Sequence, residues 1–187
     1  MNSYPEPDDA TLIRAAQTDP DAFDTLYRRY VTPIYRYCYA HTGVRSEAED
    51  LTAQTFLAAL EGLKGYRGRG SVAAWLFGIA RRKCADHYRS LNTNPGEPLE
   101  TISAQPDPST PDPEQGAYHN GVLDCVQRTL HHLSPDRREV LQLRFWGGLS
   151  IREIAAVMHR RESAVKVLIS RAIADLRRRC LDESEKG

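Results

Sequence analysis

LSIREIAAVMHRRESAVKVLISRAIADLRR, residues Leu149–Arg178, carries two helical periodicities separated by a polar break. Ser150 and Glu153 have the spacing of a capping box, which predicts a helix starting at Ile151. Ile151, Ile154, Ala155 and Met158 recur at i, i+3, i+4 and i+7 and form its apolar face. His159-Arg160-Arg161-Glu162 interrupts the repeat and reads as a short turn. A second helix then buries Val165, Leu168, Ile169, Ala172 and Leu176. It turns Ser163, Lys166, Val167, Ser170 and Arg177 outward, with Arg171 at the edge and Arg160 and Arg161 in the turn before it. Two helices joined this tightly make a helix-turn-helix, whose outer polar face suits phosphate contacts and a few base-edge contacts in a major groove. A helical hairpin in a bundle with merely solvated Arg side chains has the same periodicity, so the stretch alone leaves both readings open.

Working back towards the N-terminus, Ser134-Pro135 reads as a cap followed by an N1 proline. The helix it opens passes through Val140, Leu141 and Leu143 to Phe145-Trp146 and ends at Gly147-Gly148. A preceding helix is expected over Ala117–Leu133. Before it, Asn92–Gln115 holds six of the chain's eleven prolines, five acids and no Lys or Arg. Such a composition cannot build a core and reads as an extended, flexible linker. No strand pattern of useful length occurs. The expected class is all-α: two small helical domains, 1–91 and 116–187, joined by a flexible Pro-rich acidic linker at 92–115, the second containing the helix-turn-helix.

The first domain is expected to hold four helices. Asp9–Gln17 buries Leu12, Ile13 and Ala16. Asp19-Pro20 caps a long helix with a stripe of Phe23, Leu26, Tyr27, Tyr30, Ile34 and Tyr37, in which Pro33 predicts a kink or break. Tyr27, Tyr30, Tyr35, Tyr37 and Tyr39 fit a base-stacking surface, but most read as amphipathic core residues whose hydroxyls reach the surface. Ser46 and Glu49 suggest another capping box, opening a helix to about Leu63 with Ala48, Phe56, Leu60 and Leu63 inside. Asp50, Gln54 and Glu61 line another side, with Leu51 and Leu57 near it, a docking surface or a solvated face. Tyr66-Arg67-Gly68-Arg69-Gly70 is a basic loop, and Ser71 caps Val72–Ser90. There Trp75, Leu76, Ile79 and Ala80 point inward, and Arg81, Arg82, Tyr88 and Arg89 cluster along one side. Aromatics interleaved with Arg suit single-stranded nucleic acid, with bases on rings and phosphates on guanidinium groups. A buried Trp75 beside a solvated basic helix end fits the residues equally.

Composition narrows the function. The formal net charge is zero with 25 basic and 25 acidic residues, which argues against indiscriminate coating of nucleic acid, so contacts should be local. No apolar run is long enough to span a membrane, and a cytosolic location without membrane insertion is the default. Cys38, Cys84, Cys125 and Cys180 form no CxxC pair and read as small apolar residues in a reducing compartment. Cys125 with His119, His131 and His132 matches no standard zinc spacing, so no metal and no cofactor is assigned. No Ser/His/Asp set, P-loop or other catalytic constellation appears, and no residue is nominated as catalytic.

In order, these features resemble the extracytoplasmic-function (ECF, group IV) sigma factors of bacterial RNA polymerase. Ala48–Leu57, AEDLTAQTFL, is similar to the family's polymerase-clamp docking helix. Tyr66–Lys83, YRGRGSVAAWLFGIARRK, is similar to its −10 melting segment. LSPDRREVLQLRFWGGLSIREIAAVM followed by SAVKVLISRA is similar to its −35-reading domain. The resemblance implies core-polymerase contacts at Asp50, Leu51, Thr52, Gln54 and Phe56. It implies −10 strand contacts at Tyr66, Arg67, Arg69, Trp75, Arg81, Arg82, Lys83 and Arg89. It also implies −35 duplex contacts at Arg160, Arg161, Ser163, Lys166, Val167, Ser170 and Arg171. The implied partners are core RNA polymerase, with its flap for the second domain, promoter DNA and an anti-sigma factor. The chain departs from the family pattern at Ala53 and Gln54, at Arg82 in place of a usual Asn, and at Val167-Leu168 in place of a usual Ser-Arg. The −10 and −35 base preferences therefore do not carry over.

Overall fold

The computed structural model describes residues 7–68, 70–93, 130 and 132–184. Asp8 opens α1 (Asp9–Ala15) by accepting the Thr11 N–H at 2.7 Å. Asp19 opens α2 (Pro20–Thr42) by accepting the Asp21 N–H at 3.0 Å, and Pro20 occupies a position whose amide has no helical partner to lose. α2 then continues through Pro33 without the expected break. An interior proline costs about 3 kcal/mol. Full burial of a side chain such as Ile34 returns roughly 1.5–3 kcal/mol, and Tyr37 and Cys38 are buried with it on the following turn.

The anticipated capping box at Ser46 does not form. α3 (Arg45–Gly62) begins one residue earlier, with Val44 at the N-cap and no side-chain cap bond, and Glu49 pairs instead with Arg45 at 2.8 Å. The reason is Ala48, which is fully buried and whose N–H already bonds Val44 O at 3.0 Å. The buried stripe is Ala48, Leu51, Thr52, Thr55, Phe56 and Ala59. Leu60 falls off that stripe and is 49% exposed, contrary to its expected place in the core. A 3-10 turn at Leu63–Gly65 leads into the loop, and the Ser71 hydroxyl accepts the Ala74 N–H at 3.1 Å to start α4 (Val72–Thr93). α2 packs on α1, α3 and α4, and α3 also packs on α4.

The second half starts at α5 (Pro135–Phe145), where Pro135 takes N1 but Ser134 makes no side-chain cap bond. α6 (Ile151–Met158) has the expected capping box: Glu153 N–H donates to Ser150 Oγ at 3.3 Å, and Ser150 N–H donates to Glu153 Oε2 at 2.7 Å. His159 ends α6 in the left-handed region at φ 54°, and α7 (Glu162–Ser184) follows, so Glu162 belongs to the helix rather than to the turn. Val165 and Ala172 of α7 are fully buried beside Val140, Leu143 and Ile154, and Arg137 of α5 pairs with Asp175 of α7 at 2.5 Å.

The halves do not stand apart. α4 packs directly on α6, and one continuous apolar core runs through both halves. Gly147 lies close against α4: a Cβ there would lie 3.2 Å from Cε2 of Phe77, besides 2.7 Å from Leu143 O of its own half. Tyr37, expected to bring its hydroxyl to the surface, is fully buried and donates to Glu139 Oε1 at 2.7 Å. Cys38 and Cys84 are free and buried, whereas Cys180 is disulfide-bonded, against the expectation of a reduced apolar side chain. Asn92 and Thr93, expected to open the linker, are instead the last residues of α4, whereas Arg69, residues 94–115 of the linker, the candidate helix at 117–129, and Cys125, His119 and His131 lie outside the described residues. Among the described residues there is no strand, and no helix is long and apolar enough to cross a membrane.

Candidate nucleic-acid interface

α7 presents the first surface. Burial of Val165 and Ala172 fixes its rotation, which leaves Ser163, Lys166, Val167, Ser170 and Arg171 exposed together on the opposite side. Val167 is 47% exposed, an apolar patch among donors, with the shape and chemistry to meet a thymine methyl. Arg160 and Arg161 are exposed in the turn, but Arg160 is paired with Asp136 at 2.5 Å. Lys166 and Arg171 enter no ion pair among the described residues.

α4 and the loop before it present the second. Ala74, Trp75, Gly78, Arg81 and Arg82 fall at spacings of one, four, seven and eight residues and share one helical face. They line a cleft of about 770 Å³ whose other wall is α6, with Ser150, Arg152, Glu153 and His159. The Tyr66 ring lies 5.0 Å from Trp75 at 49°, and its hydroxyl donates to Gly70 O at 3.0 Å. That closure needs Gly70 at φ 88°, which a residue with Cβ rarely adopts. Burial, and then the charge of Asp9, pushes the Tyr66 hydroxyl above its ordinary pKa, so it stays a neutral donor. Trp75 is half-buried at the cleft rather than turned fully inward. Lys83, Arg89 and Arg67 do not line this cleft, and Arg89 pairs with Asp86 at 2.6 Å. Tyr88 turns its hydroxyl to the His41 carbonyl.

On α3 the five residues implied in polymerase docking separate. Asp50 and Gln54 are exposed, while Leu51, Thr52 and Phe56 are buried, Phe56 meeting Tyr27 edge-on at 4.7 Å. Thr52 spends its hydroxyl on Ala48 O at 2.7 Å. Leu57 and Leu60, 58% and 49% exposed, flank the polar pair and were not among the candidate site residues. The signal for Leu57 was present in the sequence, as a leucine on the polar side of the helix, whereas Leu60 was assigned to the core.

A buried carboxylate, Glu139, joins the halves. Burial pushes Glu139 up, but His41, the Tyr37 hydroxyl and Arg81 together hold it below the ordinary glutamate value. Tyr37 O–H donates at 2.7 Å, Arg81 Nε lies at 3.5 Å, and His41 Nε2 lies at 3.2 Å but without a well-directed hydrogen bond. Burial likewise raises Glu153, and the neighbouring Ser71 and Ser150 hydroxyls together with the Ser150 N–H outweigh it, leaving this capping carboxylate below the ordinary glutamate value.

The Sigma-70 region 2 family model matches residues 26–93, and the Sigma-70 region 4 model matches residues 123–176. The chain is 39% identical over 182 residues to the ECF RNA polymerase sigma factor BldN of Streptomyces coelicolor, covering 92% of this chain and 66% of that protein. It is 33% identical over 176 residues to the ECF RNA polymerase sigma factor SigD of Mycobacterium tuberculosis, covering 90% of this chain and 82% of that protein. Among solved structures, CnrH in complex with the cytosolic domain of CnrY is similar at a TM-score of 0.66 and 27% identity, covering 90% of this chain and 94% of that one. RpoE of Bartonella quintana, in complex with the anti-sigma factor NepR, shares the fold at a TM-score of 0.67 and 21% identity, over 86% and 96% of the two chains. The chain therefore belongs to the ECF sigma factors, transcription initiation factors that direct RNA polymerase to promoters and not enzymes.

Proposed function

We propose that this sigma factor captures the melted −10 strand with residues 1–93 and reads the −35 duplex with residues 116–187, residues 94–115 serving as the linker. The observation that carries the reading is the exposed row Ser163, Lys166, Val167, Ser170 and Arg171, opposite the face on which Val165 and Ala172 are fully buried and Leu168, Ile169 and Leu176 half-buried. Donors and one apolar group on a protruding second helix of a helix-turn-helix suit a major groove. In the first half, Tyr66, Trp75, Arg81 and Arg82 supply rings for unpaired bases and guanidinium groups for phosphates, with Arg67 and Arg69 on the loop and Lys83 and Arg89 further along α4. Asp50 and Gln54, flanked by Leu57 and Leu60, are the docking face for core polymerase. Leu51, Thr52 and Phe56 act by holding that face in position. The second half also meets the polymerase flap. The protein works in the cytoplasm with its polymerase. An anti-sigma factor is the further partner, a reading supported by the complex of CnrH with the cytosolic domain of CnrY.

Reconstituted holoenzyme tests the division of labour. Promoters mapped by sequencing transcripts made from genomic DNA should carry two motifs roughly 60 Å apart at ~3.4 Å per base pair. Stacking is worth roughly 1–3 kcal/mol per base, enough to trap an open strand and too little to open a duplex unaided. Tyr66→Ala and Arg82→Ala should thus keep the −35 footprint, lower permanganate reactivity of the −10 thymines, and recover on a premelted template. Normal opening by both variants, or no rescue by premelting, would remove the loop and α4 from strand capture.

A further inference from the structure

We propose that Tyr66 has a second task beside offering its ring: its hydroxyl clasps the loop before α4 into the shape that lets Trp75 and Arg82 receive an unpaired base, which makes Tyr66 a positioning residue of the −10 site; the consequence for DNA rests on the function proposed above.

The loop has little order of its own. Residues 65–70 read Gly-Tyr-Arg-Gly-Arg-Gly, and glycine gives up more backbone freedom on being fixed than any other residue. Gly68 at φ 69° and Gly70 at φ 88° both lie in the left-handed region, and a Cβ added at either would meet nothing within 4 Å. Glycine is therefore required at both by the path of the backbone and not by a crowded neighbour. Because glycine takes positive and negative φ about equally, an unheld loop would have both on the required side roughly a quarter of the time. A further contact has to select that quarter.

The bonds at the edges of the loop do not reach across it. Tyr66 N–H donates to Leu63 O at 3.1 Å in the preceding turn, and the hydroxyl and carbonyl of Ser71 accept the N–H groups of Ala74 and Trp75 on α4. Tyr66 O–H to Gly70 O, at 3.0 Å, is the bond that joins the two ends. The same ring lies 5.0 Å from Trp75, and Trp75 also abuts the end of α3, where a Cβ at Gly62 would lie 3.5 Å from its Cζ2. One side chain thus sets the loop through its hydroxyl and bears on the indole through its ring. Stacking on a base needs only a ring face, and a phenol that gives its single proton to Gly70 O has none left to donate to DNA. What the hydroxyl adds is preorganisation: a surface that is competent a larger fraction of the time binds more tightly in proportion.

The test compares wild type, Tyr66→Phe, Gly70→Ala and Gly43→Ala, each as the full chain and as holoenzyme. Tyr66→Phe keeps the ring and loses the clasp. Gly70→Ala places a methyl in open space but disfavours φ 88°, and Gly43→Ala imposes the same strain at φ 68°, at the end of α2 and away from the cleft. The net contribution of one hydrogen bond corresponds to roughly two- to ten-fold in an equilibrium. In the free protein, tryptic cleavage after Arg67, followed by mass spectrometry, should rise roughly two-fold or more in Tyr66→Phe and Gly70→Ala, since slow cleavage tracks the unclasped population. In holoenzyme the same variants should keep the −35 footprint and lower the equilibrium constant for opening by roughly two- to ten-fold, read by permanganate reactivity of the −10 thymines. The double variant should open no worse than the weaker single one, because both changes act through one bond. Gly43→Ala should lower thermal stability and leave cleavage and opening as in wild type. Wild-type opening by Tyr66→Phe would overturn the proposal, because the ring alone would then suffice, whether or not cleavage had quickened. An opening defect shared by Gly43→Ala would make the effect one of general stability and overturn it as well. If Arg82→Ala holoenzyme opened promoters normally while Tyr66→Phe was cleaved faster, strand capture by α4 would fail and take the positioning role with it, and the clasp in the free protein would stand.

Discussion

Replacing both Lys166 and Arg171 with alanine should weaken −35 duplex binding by holoenzyme and flatten its dependence on salt. Both side chains are exposed and neither is ion-paired among the described residues, so each can give its whole charge to a phosphate. Neutralising one phosphate contributes roughly 0.9 to the slope of log affinity against log salt, so the double variant should lose roughly 1.8. Over a rise from about 50 to about 200 mM, a slope of 0.9 is a factor of roughly 3.5, and the wild-type advantage should shrink roughly twelve-fold. If either side chain reads a base instead, its loss costs about 1–3 kcal/mol and relaxes preference at one position. Arg160 is the internal control: Asp136, 2.5 Å away, already offsets its charge, so Arg160→Ala should change the slope less than either single variant. The assay is anisotropy of a labelled −35 duplex titrated with holoenzyme at four salt concentrations. Parallel lines for wild type and the double variant would mean that the outward face of α7 does not meet the DNA backbone.

Three further outcomes are expected. Asp50→Ala should reduce capture by core polymerase while leaving stability within about 0.5 kcal/mol, as at other exposed sites, whereas Phe56→Ala should cost about 3–5 kcal/mol in thermal or urea melting because its ring is core. Ser150→Ala leaves the Glu153 N–H without its side-chain acceptor and should cost about 1 kcal/mol, seen as a drop of roughly 2–4 °C in Tm for a chain of this size. Glu139 and Glu153 are both held below the ordinary glutamate value of 4.5, so the stability they confer is fully present above that pH and lost as pH falls through their lower folded values. Glu139→Gln should therefore flatten the acid limb of a plot of urea midpoint against pH.

Most of the helices were legible because their information is local. Asp19-Pro20 and the Ser150–Glu153 pair satisfy amides within three residues of themselves, and the structure uses both as the spacing suggests. The recurrence of Val165 and Ala172 orients α7 from the sequence alone, since a helix turns 100° per residue whatever surrounds it. Local signals misled where a neighbour competed. Ser46 and Glu49 have capping-box spacing, yet burial of Ala48 draws the helix start to Arg45. Pro33 has a breaker's chemistry, yet the core contacts of Ile34, Tyr37 and Cys38 carry α2 through it.

The relation between the halves was not legible at all. Tyr37 and Glu139 are 102 positions apart, and nothing about a tyrosine in a helical stripe or a glutamate on a charged helix marks them as partners. Phe77 against Gly147, and α6 against α4, are likewise matters of shape between surfaces folded separately. The same holds for α3, where the motif named Asp50, Leu51, Thr52, Gln54 and Phe56 together and only the docking of α3 on α2 and α4 divided exposed from buried. Periodicity says which residues of one helix share a face, because that follows from backbone geometry within a few turns. Which face meets which other face depends on contacts between residues far apart in the chain, and those exist only once the helices have packed.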